Sequence, residues 1–167
     1  MKLAIIGAGV TGITTAYFLR KAGHEVTVID ANMHPAMLAS HANGGQLSSS
    51  NSEVWNTWAN VGKGLLWSFK RDAPLKMRYD LDFKKYIWLV KFMNNIKHYK
   101  ENTIATTKMA MESIHLMRTE FADINYDQSD CGIMHIYKKE KELEHAREVS
   151  KIYKIAGLHR TEISTNM

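Results

Sequence analysis

The feature that most constrains this chain is a glycine-rich turn close to its N-terminus. The turn reads Gly7-Ala8-Gly9-Val10-Thr11-Gly12, between an apolar run at 2–6 and a helix-compatible stretch at 10–22. In such a strand–turn–helix unit, Gly7 allows the tight turn, Gly9 lets a pyrophosphate approach the backbone, and Gly12 lets helix and strand pack closely. The helix N-terminus adds unpaired N–H groups and a positive dipole end. The sequence therefore predicts that residues 7–12 hold the phosphates of a dinucleotide.

A second strand and an acidic residue complete the unit. Gly23 is placed to end the helix, and the β-branched run Glu25-Val-Thr-Val-Ile29 predicts a strand that leads to Asp30. A carboxylate at this point can accept hydrogen bonds from the ribose hydroxyls of the adenosine, and it would repel a 2′-phosphate. Residues 2–30 are therefore predicted to form a βαβ unit that disfavours NADP.

Charge and cysteine content exclude several other classes of protein. The net charge is +5, but the basic residues are dispersed, so a solvated basic face is favoured and no nucleic-acid partner is predicted. The single cysteine, Cys131, excludes a disulfide framework, suits a cytoplasmic protein and is expected to be buried or half-buried. No run of 18 apolar residues predicts a membrane-spanning helix, and no metal site is predicted.

The remaining segments separate the two common users of this fingerprint, NAD and FAD. Residues 31–53 are rich in Ser, Asn and Gly, which fits either a flexible linker or, as we favour, an ordered functional loop. Apolar spacing then predicts short helices in 54–72 and further helices at 82–97, from Ile104 to Phe121 and at 139–156. We also predict a strand at 132–137 and the start of another strand from His159. An NAD-binding domain would continue at once with short βα units, so FAD is favoured.

Four stretches carry a family resemblance that extends from Met1 to about Ser164. They are Gly23–Asp30, Ser40-His-Ala-Asn-Gly-Gly-Gln46, Arg71-Asp-Ala-Pro-Leu75 and the strand–helix pair from Gly132 onward. In these stretches the chain resembles the N-terminal portion of FAD-dependent D-amino-acid dehydrogenases, in the wider D-amino-acid oxidase and glycine oxidase group.

The resemblance implies an α/β fold in which a Rossmann-like FAD-binding unit is joined to an antiparallel-sheet substrate domain. It also implies oxidation of a D-amino acid such as D-alanine to a 2-oxo acid and ammonia, with flavin taking the hydride. A quinone or other respiratory acceptor, at the inner face of the cytoplasmic membrane, is the implied electron partner. Peripheral membrane contact and a cytoplasmic location follow from the same resemblance.

The resemblance also assigns residues. Gly7, Ala8, Gly9, Val10, Thr11 and Gly12 are expected at the pyrophosphate and Asp30 at the ribose, while Ser40 belongs to a second flavin-contacting segment. Asn43, Gly44, Gly45 and Gln46 are candidates near the flavin ring, although polar loop caps are the alternative. His41 departs from the family pattern and is expected to face solvent, and His135 is expected to be structural. No catalytic acid or base is assigned.

The family's chains are more than twice as long, which implies that this fold is incomplete. Residues 1–53 are expected to form the N-terminal part of the FAD-binding domain, and residues 54–167 a helical segment with part of the substrate domain. The sheet of residues 2–30 would then expose apolar surface, and a complementing C-terminal chain is a candidate partner. Two other functions stay open: another amine-oxidising flavoprotein of the glycine or sarcosine oxidase type, or an inactive dinucleotide-binding remnant.

Overall fold

The computed structural model describes residues 1–68, 72 and 82–163. The chain forms two compact units: the first is Met1–Gln46, and the second begins at Leu47. The resemblance-bearing stretch Arg71–Leu75 lies, except for Asp72, outside the described residues.

The first unit contains the predicted βαβ arrangement. Strands β1 (Lys2–Ile6) and β2 (Glu25–Ile29) are parallel, with Lys2 opposite Glu25 and Ile6 opposite Ile29, and helix α1 (Val10–Lys21) connects them. The positions of both strands and of the helix confirm the prediction from sequence.

Gly23 ends α1 in the expected way. Its φ of +85° is a left-handed conformation that glycine adopts without steric cost. The Gly23 N–H donates to the Arg20 carbonyl at 2.9 Å and the His24 N–H to the Leu19 carbonyl at 3.0 Å. This pair of bonds satisfies two carbonyls at the helix end.

The apolar side chains of the first unit are less buried than their spacing suggests. Of the packing candidates on α1, Ala16 and Leu19 are half-buried, while Ile13 and Tyr17 are exposed. Ile6, at the end of β1, is 90% exposed. The reason is geometric, because a two-stranded sheet covers only a narrow strip of a helix and leaves its own flank open.

The second unit is mainly helical. Its helices are α2 (Trp58–Ser68), α3 (Phe83–Asn94), α4 (Tyr99–Glu120) and α5 (Glu140–Ala156), with short 3₁₀ helices at Ser49–Asn51 and Asn95–His98. All four long helices fall where the sequence predicts them. Gly157 ends α5 with a φ of +97° and the same pair of capping bonds as Gly23.

The core of the second unit lies where α4 and α5 pack together. Its buried side chains are Thr103 and Thr107 on α4 and Ala146, Val149, Tyr153 and Ala156 on α5. The apolar face predicted for α4, including Met111 and Ile114, is only half-buried. The most buried positions of α4 are Thr103 and Thr107, because their hydroxyl groups hydrogen-bond to the serine-rich segment (residues 48–54) that precedes α2.

Three expectations from sequence are wrong. The strand expected to start at His159 is absent, since the described residues 159–163 form no strand. Residues 132–137 likewise form no strand and pair with none in the described part of the chain, and Gly132 has a φ of +78°. A β-rich composition makes a strand only where a partner supplies the ladder hydrogen bonds. Cys131 is exposed rather than buried, with its Sγ 3.1 Å from the Ser129 Oγ.

Candidate cofactor site

The glycine turn is built by contacts that only glycine permits at two of its positions. Gly7 has a φ of +102°, and its N–H donates to the Ile29 carbonyl at 2.7 Å, which fixes the turn to the end of β2. A Cβ on Gly12 would lie 1.9 Å from the Gly7 carbonyl oxygen. The third glycine of the motif is therefore required for the close approach of α1 to the turn.

The first turn of α1 presents backbone N–H groups to an open cleft of about 360 Å³. The Val10 N–H donates to the Ser40 hydroxyl oxygen at 2.9 Å, and the Ile13 N–H donates to the Gly9 carbonyl at 3.0 Å. Among the described residues, the N–H groups of Thr11 and Gly12 have no acceptor. Unpaired donors at the positive end of a helix dipole form a site for an anion such as a pyrophosphate.

Asp30 lies beside this turn and is held by three hydrogen bonds. Its Oδ2 accepts from the Ala8 N–H at 2.6 Å, and its Oδ1 accepts from the Asn32 N–H at 2.8 Å and the Asn32 Nδ2 at 2.9 Å. These bonds, with the one from Ala8 contributing most, hold the pKa of the Asp30 carboxyl below its usual value. The carboxylate is therefore ionised and can accept further bonds from ribose hydroxyls.

The second predicted segment reaches the turn through one residue only. The Ser40 hydroxyl lines the cleft, and a Cβ on Gly9 would lie 3.3 Å from its Oγ. Asn43 bonds within its own loop, accepting from the Gly45 N–H at 2.8 Å and donating to the Ser40 carbonyl at 3.5 Å. Gly44, Gly45 and Gln46 are exposed and do not line this cleft.

Two partners of this site were not predicted from sequence. Asn32 orients Asp30 by donating its backbone N–H to the Asp30 carboxylate. The sequence could have indicated this Asx turn, because an Asp side chain commonly accepts a bond from the backbone N–H two residues later. The bond between Val10 and Ser40 joins residues 30 apart and left no local signal. His41 is exposed, as expected for a solvent-facing loop histidine.

The residues present fit the phosphate and ribose half of a dinucleotide. Gly9 adds no side chain of its own to the cleft, α1 supplies unpaired donors, and Asp30 supplies an ionised acceptor. Such a set matches the pyrophosphate and adenosine ribose of FAD.

A second cleft, of about 390 Å³, lies within the second unit and was not predicted. His135, Tyr137, Tyr153 and Arg160 are among the side chains that line it. The His135 Nε2 is 2.8 Å from the Ser50 Oγ, which confirms a structural contact for this histidine. The paired residues are 85 positions apart, so no spacing pattern could reveal them.

The described residues contain neither a metal-binding cluster nor a membrane-spanning helix. Within 1–68, 72 and 82–163, no group of three or more His, Cys, Asp or Glu side chains is arranged to hold a metal ion. Over the same ranges, no helix has the length and apolar character needed to span a membrane.

With this geometry established, the chain can be compared with known proteins. Residues 2–165 match the family described as FAD dependent oxidoreductase, DAO. The chain belongs to this family. Its members use FAD, so the cofactor expected from the βαβ unit and the loop that follows it agrees with the family.

Individual relatives carry more specific names. The chain is 44% identical to "D-amino acid dehydrogenase 3" of Mesorhizobium japonicum, in an alignment that covers 98% of this chain and 40% of that protein. It is 37% identical to "D-amino acid dehydrogenase" of Paramagnetospirillum magneticum, over 96% of this chain and 39% of that protein. The protein of the same name from Dechloromonas aromatica is 32% identical to this chain, in an alignment that covers 99% of this chain and 41% of that protein.

The chain thus spans about 40% of the length of the curated relatives that it matches. No solved structure matches it.

Proposed function

We propose that this chain binds the ADP half of FAD through residues 7–12 and Asp30, and that it acts in the oxidation of D-amino acids. The observation that carries the proposal is the pair of unpaired N–H groups at Thr11 and Gly12, above a glycine turn and beside an ionised carboxylate. The names of the relatives support the substrate class.

Each part of the site has a separate task in this proposal. When bound, FAD supplies the acceptor for the hydride from the Cα of a D-amino acid, whose imino product water converts to a 2-oxo acid and ammonia. The α1 N-terminus binds the pyrophosphate and Asp30 binds the ribose. The Ser40 hydroxyl fixes the Val10 N–H and so orients the first turn of α1. We assign no residue as the acid or base of the reaction.

The Ser40–Gln46 segment is the proposed second contact with the flavin. Its support is the Ser40 hydroxyl at the cleft and the left-handed backbone of Gly45, at a φ of +60°, which gives the loop a tight bend. In this proposal Asn43, Gly44 and Gln46 approach the ring side of FAD, and Asn43 must exchange its bond to the Gly45 N–H for a bond to the ring.

The substrate domain and its completion are part of the same proposal. Residues 134–137 alternate between exposed and half-buried side chains, as a strand does, and their backbone is available for pairing. We propose that this stretch belongs to an antiparallel-sheet substrate domain completed by sequence outside this chain, either covalently continuous or supplied by a complementing chain.

The proposed electron acceptor is a respiratory quinone at the inner face of the cytoplasmic membrane. Supporting this location, α2 and α3 contain Lys63, Lys84, Lys85 and Lys91 but no Asp or Glu. The same helices expose large apolar side chains, with Trp58 66% and Phe83 77% exposed. Lysines beside exposed aromatic residues suit peripheral contact with anionic lipid.

Retention of flavin tests the cofactor proposal. The 167-residue chain is mixed with FAD and passed through gel filtration, and absorbance between about 350 and 500 nm is recorded on the protein peak. We expect a retained flavin band, and we expect Asp30→Asn to weaken FAD binding about tenfold or more because the charged acceptor is lost. Glu25→Gln is the matched control, since Glu25 is an exposed carboxylate paired with Lys2 at 3.7 Å.

The outcomes separate the candidate functions. No retained flavin at saturating FAD would show an inactive remnant. Retained flavin followed by bleaching of the band with D-alanine under anaerobic conditions supports the D-amino-acid proposal. Bleaching with sarcosine or glycine, but not with D-alanine, would assign the chain to the other amine-oxidising class.

A further inference from the structure

We propose that the second unit contains a binding site for a small organic monocarboxylate, centred on Arg160 and independent of the proposed FAD-linked function. The site is the cleft of about 390 Å³ between α5, residues 50–53 and residues 135–137. Its volume lies at the lower end of the range of small-molecule sites.

Arg160 is a half-buried guanidinium without a carboxylate partner in the described part of the chain. Its Nη2 donates to the Tyr137 hydroxyl at 2.6 Å, and its Cζ lies 5.6 Å from the centre of the Tyr153 ring. A guanidinium has five N–H donors in a planar fork, and among the described residues only the Tyr137 hydroxyl accepts from one of them. Partial removal of this cation from water favours an anion that pairs with the remaining donors.

Two acidic side chains near Arg160, one by sequence and one in the cleft lining, already have other partners. Glu162, two residues from Arg160 in sequence, accepts from the Arg147 Nε at 3.0 Å and Nη2 at 2.6 Å. The Glu53 Oε1 accepts from the Tyr99 hydroxyl at 2.6 Å and lies 3.1 Å from the His145 Nε2. The positive charge of Arg160 is therefore left for a ligand.

The other groups in the cleft select among anions. Burial, and secondarily the charge of Arg160, hold the pKa of His135 below its usual value, so this imidazole is neutral near pH 7. Arg160 then faces the ligand as the main cation, while Glu53, which also lines the cleft, disfavours a second negative charge. A planar carboxylate matches the guanidinium fork through two parallel bonds.

Propionate, with two comparison ligands, is the probe for this site. In the ¹⁵N-labelled chain, the Nε–Hε signal of Arg160 is assigned by its absence in Arg160→Gln and followed as propionate is added. We expect a saturable shift, and a Kd weakened about tenfold or more in Arg160→Gln, as for loss of a charge-assisted bidentate pair. Arg118→Gln is the control, because Arg118 is exposed and paired with Asp130 at 2.7 Å; its affinity should be unchanged.

The comparison ligands and a second variant make each outcome decisive. Propionamide removes the charge and should not bind, and inorganic phosphate should bind at least about tenfold more weakly than propionate. Tyr137→Phe keeps the guanidinium but removes the hydroxyl that positions it in the cleft, so it should weaken propionate binding severalfold even if Arg160→Gln does not fold. Equal binding of propionamide or phosphate, or an Arg160 signal that does not move, overturns the proposal.

Discussion

At the scale of single residues, the site depends on three positions that sequence spacing identifies. The motif requires a left-handed residue, a close backbone contact and a hydrogen-bond acceptor. These are supplied, in that order, by Gly7, Gly12 and Asp30. Asn32 could be indicated only by its local Asx turn with Asp30. The Ser40 bond to Val10 could not be placed by the motif, because it depends on how the following loop folds back.

Gly12→Ala tests the close contact within the turn. The new Cβ would lie 1.9 Å from the Gly7 carbonyl oxygen, so α1 must shift, and we expect a loss of about 1–3 kcal/mol or more in the free energy of unfolding of the first unit. Urea unfolding followed by circular dichroism measures this loss. Gly44→Ala in the same unit is the control, since its Cβ would meet nothing within 4 Å. Equal midpoints for the two variants would contradict the geometry.

The pKa of Asp30 makes a prediction about acid stability. Because the folded pKa is lowered, the stabilisation is fully present above the ordinary value of 3.8 and is lost as the pH falls through the lowered folded pKa. The unfolding midpoint of the first unit should fall over this acidic range in the wild type and should fall less in Asp30→Asn. Parallel pH profiles for the two proteins would show that Asp30 is not held as described.

At the scale of elements, local sequence patterns correctly predicted the strands and helices that local interactions determine. β1, β2, α1 and α5 follow from β-branched runs, helical spacing and end-capping glycines. The strand expected at 132–137 failed because pairing is not a local property. The burial of the threonines on α4 could not be predicted either, because it depends on contacts that are distant in sequence. The Thr107 Oγ1 lies 2.8 Å from the Ser52 Oγ, across 55 residues.

Tyr153 shows how such polar contacts hold the helices to the serine-rich segment. Its ring is 1% exposed, and its hydroxyl accepts from the Glu53 N–H at 3.0 Å and donates to the Ser50 carbonyl at 3.1 Å. Tyr153→Phe leaves both backbone groups without this partner, so we expect a loss of about 1–3 kcal/mol in unfolding free energy.

The matched control is Tyr126→Phe, since Tyr126 is exposed and removal of its hydroxyl should change stability by less than about 0.5 kcal/mol. Both variants are compared by urea unfolding monitored at the Trp emission. A Tyr153→Phe protein as stable as the Tyr126→Phe protein would show that the buried hydroxyl bonds contribute little.

At the scale of the whole molecule, the βαβ motif and the family resemblance predicted an α/β chain but not its surface. Apolar side chains that follow helical spacing form helices as expected, yet Phe83, Ile87 and Val90 on α3 remain more than half exposed. Periodicity reports which face is apolar, and it does not report what covers that face. A surface this rich in large apolar side chains favours association.

We therefore expect the chain to self-associate as its concentration rises. Sedimentation velocity should show a sedimentation coefficient that increases with concentration, and the double variant Trp58→Glu/Phe83→Glu should reduce this increase by adding charge to the exposed faces of α2 and α3. The exposed double variant Lys63→Glu/Lys84→Glu is the control for charge alone. A wild-type coefficient that is independent of concentration would contradict the expectation.

The bonds from Tyr153 to residues 50 and 53 have a consequence for the order of events during synthesis. In the first unit, the hydrogen bonds between Ala8 and Asp30 and between Val10 and Ser40 span 22 and 30 residues, so they can form early on the ribosome. Glu53 must wait for Tyr153, 100 residues later, which at about 5–20 residues per second is a delay of roughly 5–20 s. During that interval the nascent serine-rich segment lacks both Tyr153 bonds and is more open to proteases and chaperones.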